Sequence, residues 1–276
     1  MDILAILQFQ FFQRALLAGI AVSLLCALWG VFIVLRKQAY LSDAVAHASL
    51  TGIAVGILLG WSHLPLAILA GVLLAVGITY FKKHTNLSDD TLIGILYSFL
   101  FAIGVVLLSF YPGYRPDLFS YLFGSLLAVS WTDLTVDAVL LIVSLLFVGL
   151  TYRKLLYVTF DPEAATLRGI KTERYEYLIN ILSSIATIVA IKSVGIVMVS
   201  ALILIPSASA KLMARKFSDM LPLSMLFSTS SAVIGIFASY ILNLPSGAAI
   251  VIVAGLGFFS LVLFKNFTKL LKRKNV

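Results

Sequence analysis

Asp43 and His47 stand four residues apart inside a long apolar stretch, 39–60. On a helix that spacing puts a carboxylate and an imidazole on one face. Carboxylate oxygen and imidazole nitrogen together suit a borderline divalent cation such as Zn2+ or Mn2+. Spacing alone leaves three roles open: a metal site, a proton relay, and an Asp–His hydrogen bond that only fixes helix packing. Two ligands are too few for a closed zinc site. A transport site is expected to be incomplete, because the ion has to leave. A second copy related by a two-fold axis would supply a second Asp–His pair.

The element that carries this pair reads as a membrane span. Counting about 1.5 Å per residue from Lys37 puts His47 roughly 15 Å in, near the midplane. Ionisable groups at that depth are costly and mark function. Of the 22 residues from Ala39 to Gly60, 11 are Ala, Gly, Ser or Thr. Small residues let backbones approach closely, so this span is expected at the centre of a bundle.

Other polar residues carry less. His63, in a short outer loop, and His84, in a basic loop, read as solvated. Ser88-Asp89-Asp90-Thr91 reads as an N-cap. Asp117 and Asp133 flank segment 118–130 and read as solvated ends. Pro206 interrupts a span, with Ser207 and Ser209 placed to satisfy the carbonyls it frees. A packing kink and a hinge are equally compatible with it.

The whole chain agrees with a membrane setting. It has 276 residues, 61% hydrophobic and 12% charged, with mean hydropathy +1.08. A soluble domain is about half apolar and a quarter charged. An ordinary cytosolic enzyme, a disordered chain and a nucleic-acid module are thereby excluded. One cysteine, Cys26, leaves no intrachain disulfide. The N-terminus lacks a basic leader region, so the first apolar stretch is expected to be retained.

Nine stretches are long enough to cross: 14–35, 39–60, 64–81, 91–111, 133–152, 175–191, 194–213, 220–242 and 246–264. Segment 118–130 is too short and is expected to be re-entrant or interfacial. With the C-terminus inside, 17 basic residues face the cytoplasm and only Arg14, Arg115 and Lys192 face out. The expected architecture is all-α: one polytopic transmembrane domain, 1–276, of about eight to nine spans, with its longest polar connection from Arg153 to Glu176.

That connection encodes a short helix. Asp161 is a good N-cap, Pro162 suits the first helical position, Glu163 favours the positive helix start, Ala164 continues the turn and Gly169 suits the stop. A capped two-turn helix there is a natural docking knob. No G-x-x-x-x-G-K-[ST] phosphate loop is present, so any motor lies on another chain or in an ion gradient.

Residues across the chain resemble one family. They are Val34-Leu35-Arg36-Lys37, Ser42-Asp43-Ala44-Val45-Ala46-His47-Ala48, Asp90-Thr91-Leu92-Ile93-Gly94, Tyr121-Leu122-Phe123-Gly124, Asp161-Pro162-Glu163 with Gly169, and Pro206-Ser207-Ala208-Ser209-Ala210. In order and content they are similar to the permease subunit of bacterial metal-type ABC importers. Ala46-His47-Ala48-Ser49-Leu50-Thr51-Gly52 and Tyr121 to Val129 look most like the zinc branch. Manganese members tend to carry Ser-His-Ala-Val-Leu-Pro-Gly, from which Ala46 and Thr51 depart.

The resemblance implies metal ligation by Asp43 and His47 and a coupling helix at about 161–169. It implies import of zinc, or of manganese or iron, with no permanent cofactor and ATP on the partner subunit. The implied partners are a second permease copy, a cytoplasmic ATPase dimer and an extracytoplasmic metal-binding protein, with no nucleic acid. The chain itself is then no enzyme but a multi-pass protein of the bacterial plasma membrane. A proton-driven secondary transporter is the main rival; an intramembrane metalloprotease would need H-E-x-x-H, which is missing.

Overall fold

The computed structural model describes residues 8–111 and 126–274. Among them, nine helices are long and apolar enough to cross a membrane. They are α1 (Gln10–Leu35), α2 (Leu41–Leu59), α3 (His63–His84), α4 (Asp89–Ser109), α5 (Trp131–Phe160), α7 (Thr172–Val194), α8 (Ile196–Met213), α9 (Phe217–Leu242) and α10 (Ser246–Lys274). The short helix α6 (Pro162–Leu167) lies between α5 and α7. Every expected span is thus one helix, and the sixth is longer than expected.

Two expectations change. The connection from Arg153 to Glu176 is largely helical, because α5 runs to Phe160 and α7 starts at Thr172. Polar residues extend a helix beyond the bilayer without ending it, so hydropathy marks the membrane rather than the helix. The centre of the bundle belongs to α1, not to α2 alone. α1 packs against α5, α7, α8 and α9 and buries Phe12, Leu25, Trp29 and Phe32. α2 packs instead against α3, α4, α7 and α8.

Glycines allow the closest approaches. A Cβ on Gly52 would collide with the Leu66 carbonyl of α3, and one on Gly30 with the Ile203 carbonyl of α8. Without side chains at these points the helices lie nearly backbone to backbone. The outer faces of α4, α5 and α10 instead expose Phe99, Val105, Val139, Leu146, Phe259 and Leu263. An apolar surface of this kind is suited to lipid.

The helix ends are tied by polar contacts. At one end, Arg36 pairs with Glu176 at 3.2 Å, Lys82 with Asp89 at 3.0 Å, and Lys83 with Glu173 at 3.0 Å. Buried Gln38 also donates to Asp89, at 3.0 Å. Ser88 caps α4 as expected, accepting from the Thr91 N–H. Asp89 beside it is an ion-pair partner as well as part of that cap region.

At the other end, Ser130 and Asp133 form a capping box, and Asp133 pairs with Lys192 at 2.7 Å. Asp133 therefore clamps α5 to α7 and is not a solvated end. Asp117, Tyr121 to Gly124 and most of segment 118–130 lie outside the described residues; its last part forms a 3-10 turn, Leu126–Ala128, with Leu126 packed towards α1.

α8 runs unbroken through Pro206. Neither nearby serine takes the Leu202 carbonyl that the proline frees. Ser209 donates to the Ile205 carbonyl at 2.8 Å, and Ser207 bonds Ser224 of α9 at 3.2 Å. Ser224 reaches the Ala27 carbonyl of α1 at 3.3 Å. These serines thus link α8, α9 and α1.

Candidate functional site

Asp43 lies in the first turn of α2, where the helix dipole favours a negative charge. His47 is one turn further on, three residues short of the helix midpoint at Leu50, or about 4.5 Å. Asp43, His47 and Leu50 form a half-buried stripe on a helix whose intervening residues Ala44, Val45, Ala46, Ala48 and Ser49 are buried.

The hydrogen bonds fix which atoms remain available. His47 Nδ1 lies 2.7 Å from the Asp43 backbone carbonyl. A carbonyl oxygen only accepts, so Nδ1 carries the proton and donates. The lone pair is then on Nε2, the nitrogen free to bind a metal. The rings of Tyr97 and Phe101 of α4 stand edge-on to the imidazole at 5.1 and 5.3 Å. Asp43 Oδ1 accepts from the Ser200 hydroxyl of α8. Among the described residues no hydrogen bond occupies Asp43 Oδ2 or His47 Nε2.

The packing alternative, a direct Asp–His side-chain bond, is not formed. The carboxylate turns to α8 and the imidazole to its own backbone. Ser200 was not singled out from sequence. The only signal is one more serine in an apolar span, which spacing cannot distinguish from Ser207 or Ser209. Among the described residues, no three His, Cys, Asp or Glu side chains gather as a ready metal cage.

The other histidines are surface groups. His63 begins α3, exposed, with Nδ1 donating to the Trp61 carbonyl at 3.0 Å. His84 donates to the Tyr80 carbonyl and stacks on that ring at 4.3 Å. Sequence reading also passed over Asp137. It is fully buried in α5 and accepts from Ser193 of α7 at 2.7 Å. Its position four residues after Asp133, inside a span, was the available signal. Cys26 is buried in α1.

At the opposite end from Asp133, α6 is built as its sequence implies. Asp161 accepts from the Ala164 N–H at 2.9 Å, and Pro162 takes the first turn. Gly169 has φ +74°, a left-handed stop that suits glycine. Ala165 is buried against the body, while Leu167 is 90% exposed. Glu163 is exposed too. The result is a fixed stub with an apolar tip.

The sequence profile of the ABC 3 transport family matches residues 8–265. The chain belongs to that family. Its relatives include the manganese transport system membrane protein MntC of Halalkalibacterium halodurans, 39% identical over 94% of this permease and 88% of that protein. The zinc uptake membrane protein ZnuB of Haemophilus influenzae is 33% identical over 94% and 98%. Among solved structures, PsaBC from Streptococcus pneumoniae in complex with Fab matches with TM-score 0.82 and 34% identity over 94% and 93% of the chains. The permease is therefore the membrane subunit of a metal-type ABC importer. It spans the plasma membrane several times and catalyses nothing itself; ATP is hydrolysed on a separate chain. This removes the proton-driven and protease readings.

Proposed function

We propose that this permease forms the path of a divalent first-row cation and that Asp43 and His47 touch the ion. The observation that carries this is the pinning of the pair. One atom of each side chain is held by Ser200 or by the backbone, and one atom of each, Oδ2 and Nε2, has no hydrogen-bond partner among the described residues. Such a pair is oriented before the ion arrives, and two ligands hold it loosely enough to release it.

Manganese is the favoured cargo, ahead of the zinc expected from the residues around His47. The residues behind that expectation do packing work. Ala46 is fully buried, and Thr51 donates to the Leu100 carbonyl of α4. The manganese relative is also more similar over the whole chain than the zinc relative. A carboxylate with a single imidazole, and no thiolate, suits Mn2+.

Two copies would bring two such stripes together as a homodimer, completing the coordination that one chain lacks. The single membrane domain would place its C-terminus and α6 in the cytoplasm by the 17-to-3 bias of basic residues. Asp161, Pro162, Glu163, Ala164 and Gly169 would then shape the coupling helix on which the ATPase dimer acts. A metal-binding protein outside would deliver the ion.

The test is labelled manganese uptake in cells lacking the gene, complemented with wild type, Asp43→Ala or His47→Ala. Wild type restores uptake, and both variants lose it with the protein still inserted. Uptake that survives in both variants rejects the site. If excess zinc suppresses uptake far more strongly than equal unlabelled manganese, the cargo is zinc.

A further inference from the structure

The inner end of the molecule carries a second feature, separate from the ion path. A cleft of about 530 Å³ opens between α5, the turn that follows α6, and α7, lined by Lys154, Arg168, Lys171, Arg174, Tyr175 and Leu178. Lys171, Arg174, Tyr175 and Leu178 follow the i, i+3, i+4, i+7 spacing of one helix face. On α5, Leu150, Arg153, Lys154 and Tyr157 follow the same spacing. Aromatic rings hold two of the cations. Lys154 Nζ is 5.9 Å from the Tyr175 ring centre, and the Arg168 guanidinium is 4.4 Å from that of Tyr157.

Arg153, Lys154, Arg168, Lys171 and Arg174 form no ion pair among the described residues. The acids of α4 and α7 near them are engaged elsewhere, while on α6 Asp161 caps the helix, Glu163 is exposed, and neither pairs with these cations. Glu173 is held by Lys83, Glu176 by Arg36 and Lys82, and Asp89 by Lys82. Like charges gathered without counter-charge repel one another, so an anion between them is favourable.

The order along the helices specifies the kind of anion. Leu150 and Leu178 lie on the span side of the cations, and Leu150 is 85% exposed. Cations thus stand where the helices leave the bilayer, with apolar side chains one turn deeper. That sequence, charge then hydrocarbon, matches a lipid phosphate above its acyl chain. A free phosphate would make no use of the apolar part, and a protein surface would approach from the side of α6. We propose that this cleft binds the headgroup of an anionic phospholipid, whose chain lies along α5 and α7 beside Leu150 and Leu178.

The test uses the whole importer, purified with its ATPase in mild detergent. Native mass spectrometry would follow added phosphatidylglycerol, phosphatidylcholine of the same chains, or inorganic phosphate. The wild type is expected to retain phosphatidylglycerol, and neither of the others. Each interfacial cation contributes about 1 kcal/mol, so the triple variant Lys154→Gln, Lys171→Gln, Arg174→Gln should bind it about a hundredfold more weakly. Lys154→Arg with Lys171→Arg should keep binding, which separates charge from folding. Equal retention of phosphatidylcholine, retention of inorganic phosphate, or unchanged lipid affinity in the triple variant overturns the proposal. So does loss of the ATPase from the triple variant, which would assign the cluster to that protein.

Discussion

Metal affinity at the proposed site depends on a residue that never touches the ion. Ser200 holds Asp43 Oδ1 from a different helix and so sets where Oδ2 points. Groups that orient ligands typically contribute 10–100-fold in affinity. Ser200→Ala should therefore raise the uptake KM for manganese about tenfold while changing the maximum rate little. KM measured over a range of manganese concentrations checks this. An unchanged KM would mean that the carboxylate is positioned without the serine. The charged partners at the helix ends have a different part. Arg36, Lys82, Asp89 and Glu176 hold helices in register at one end, and Asp133 with Lys192 does so at the opposite end.

At the scale of elements, helix packing and the exposed stub make separable predictions. Gly52 lets α2 meet the α3 backbone at Leu66. Overpacking of such a contact costs roughly 1–3 kcal/mol. Gly52→Leu should lower the melting temperature in detergent and displace His47, so uptake falls with stability. Leu167 is the converse case, with its side chain outside the fold. Leu167→Ser should leave melting unchanged but reduce ATP-driven uptake severalfold, because it alters only the tip of α6. Uptake at the wild-type rate would show that α6 does not depend on its apolar tip for coupling. The short helix is legible in sequence because its signals are local: cap, proline, acid and terminal glycine lie within nine residues.

For the molecule as a whole, sidedness has a clean test. The sole native cysteine, Cys26, is buried and gives little background to a thiol reagent. Trp61, just beyond α2, and Glu163, on α6, are both exposed. A membrane-impermeant maleimide should label Trp61→Cys in intact cells and Glu163→Cys only after permeabilisation. The reverse pattern would invert the orientation and place α6 outside. The alternation itself is consistent with the tertiary contacts. Arg36, Lys82, Asp89, Glu173 and Glu176 meet at one end, whereas Asp133 and Lys192 meet at the other.

What the sequence determined by itself was whatever depends on neighbours along the chain. Apolar runs of bilayer length defined the nine spanning helices found among the described residues, because an unpaired backbone group is too costly in hydrocarbon to allow another spanning form here. The i, i+4 spacing put Asp43 and His47 on one face, and local capping signals wrote α6. The end of α5 at Phe160 was not legible, since hydropathy reports where lipid stops and not where a helix does. Only the tertiary structure decided that α1 holds the centre, that Ser200 meets Asp43 across 157 positions of chain, and that Asp137 is buried against Ser193. It also decided that His47 bonds its own backbone and so leaves Nε2 free. Periodicity gives a side chain its face of the helix. Which helix lies opposite that face follows from packing the whole bundle.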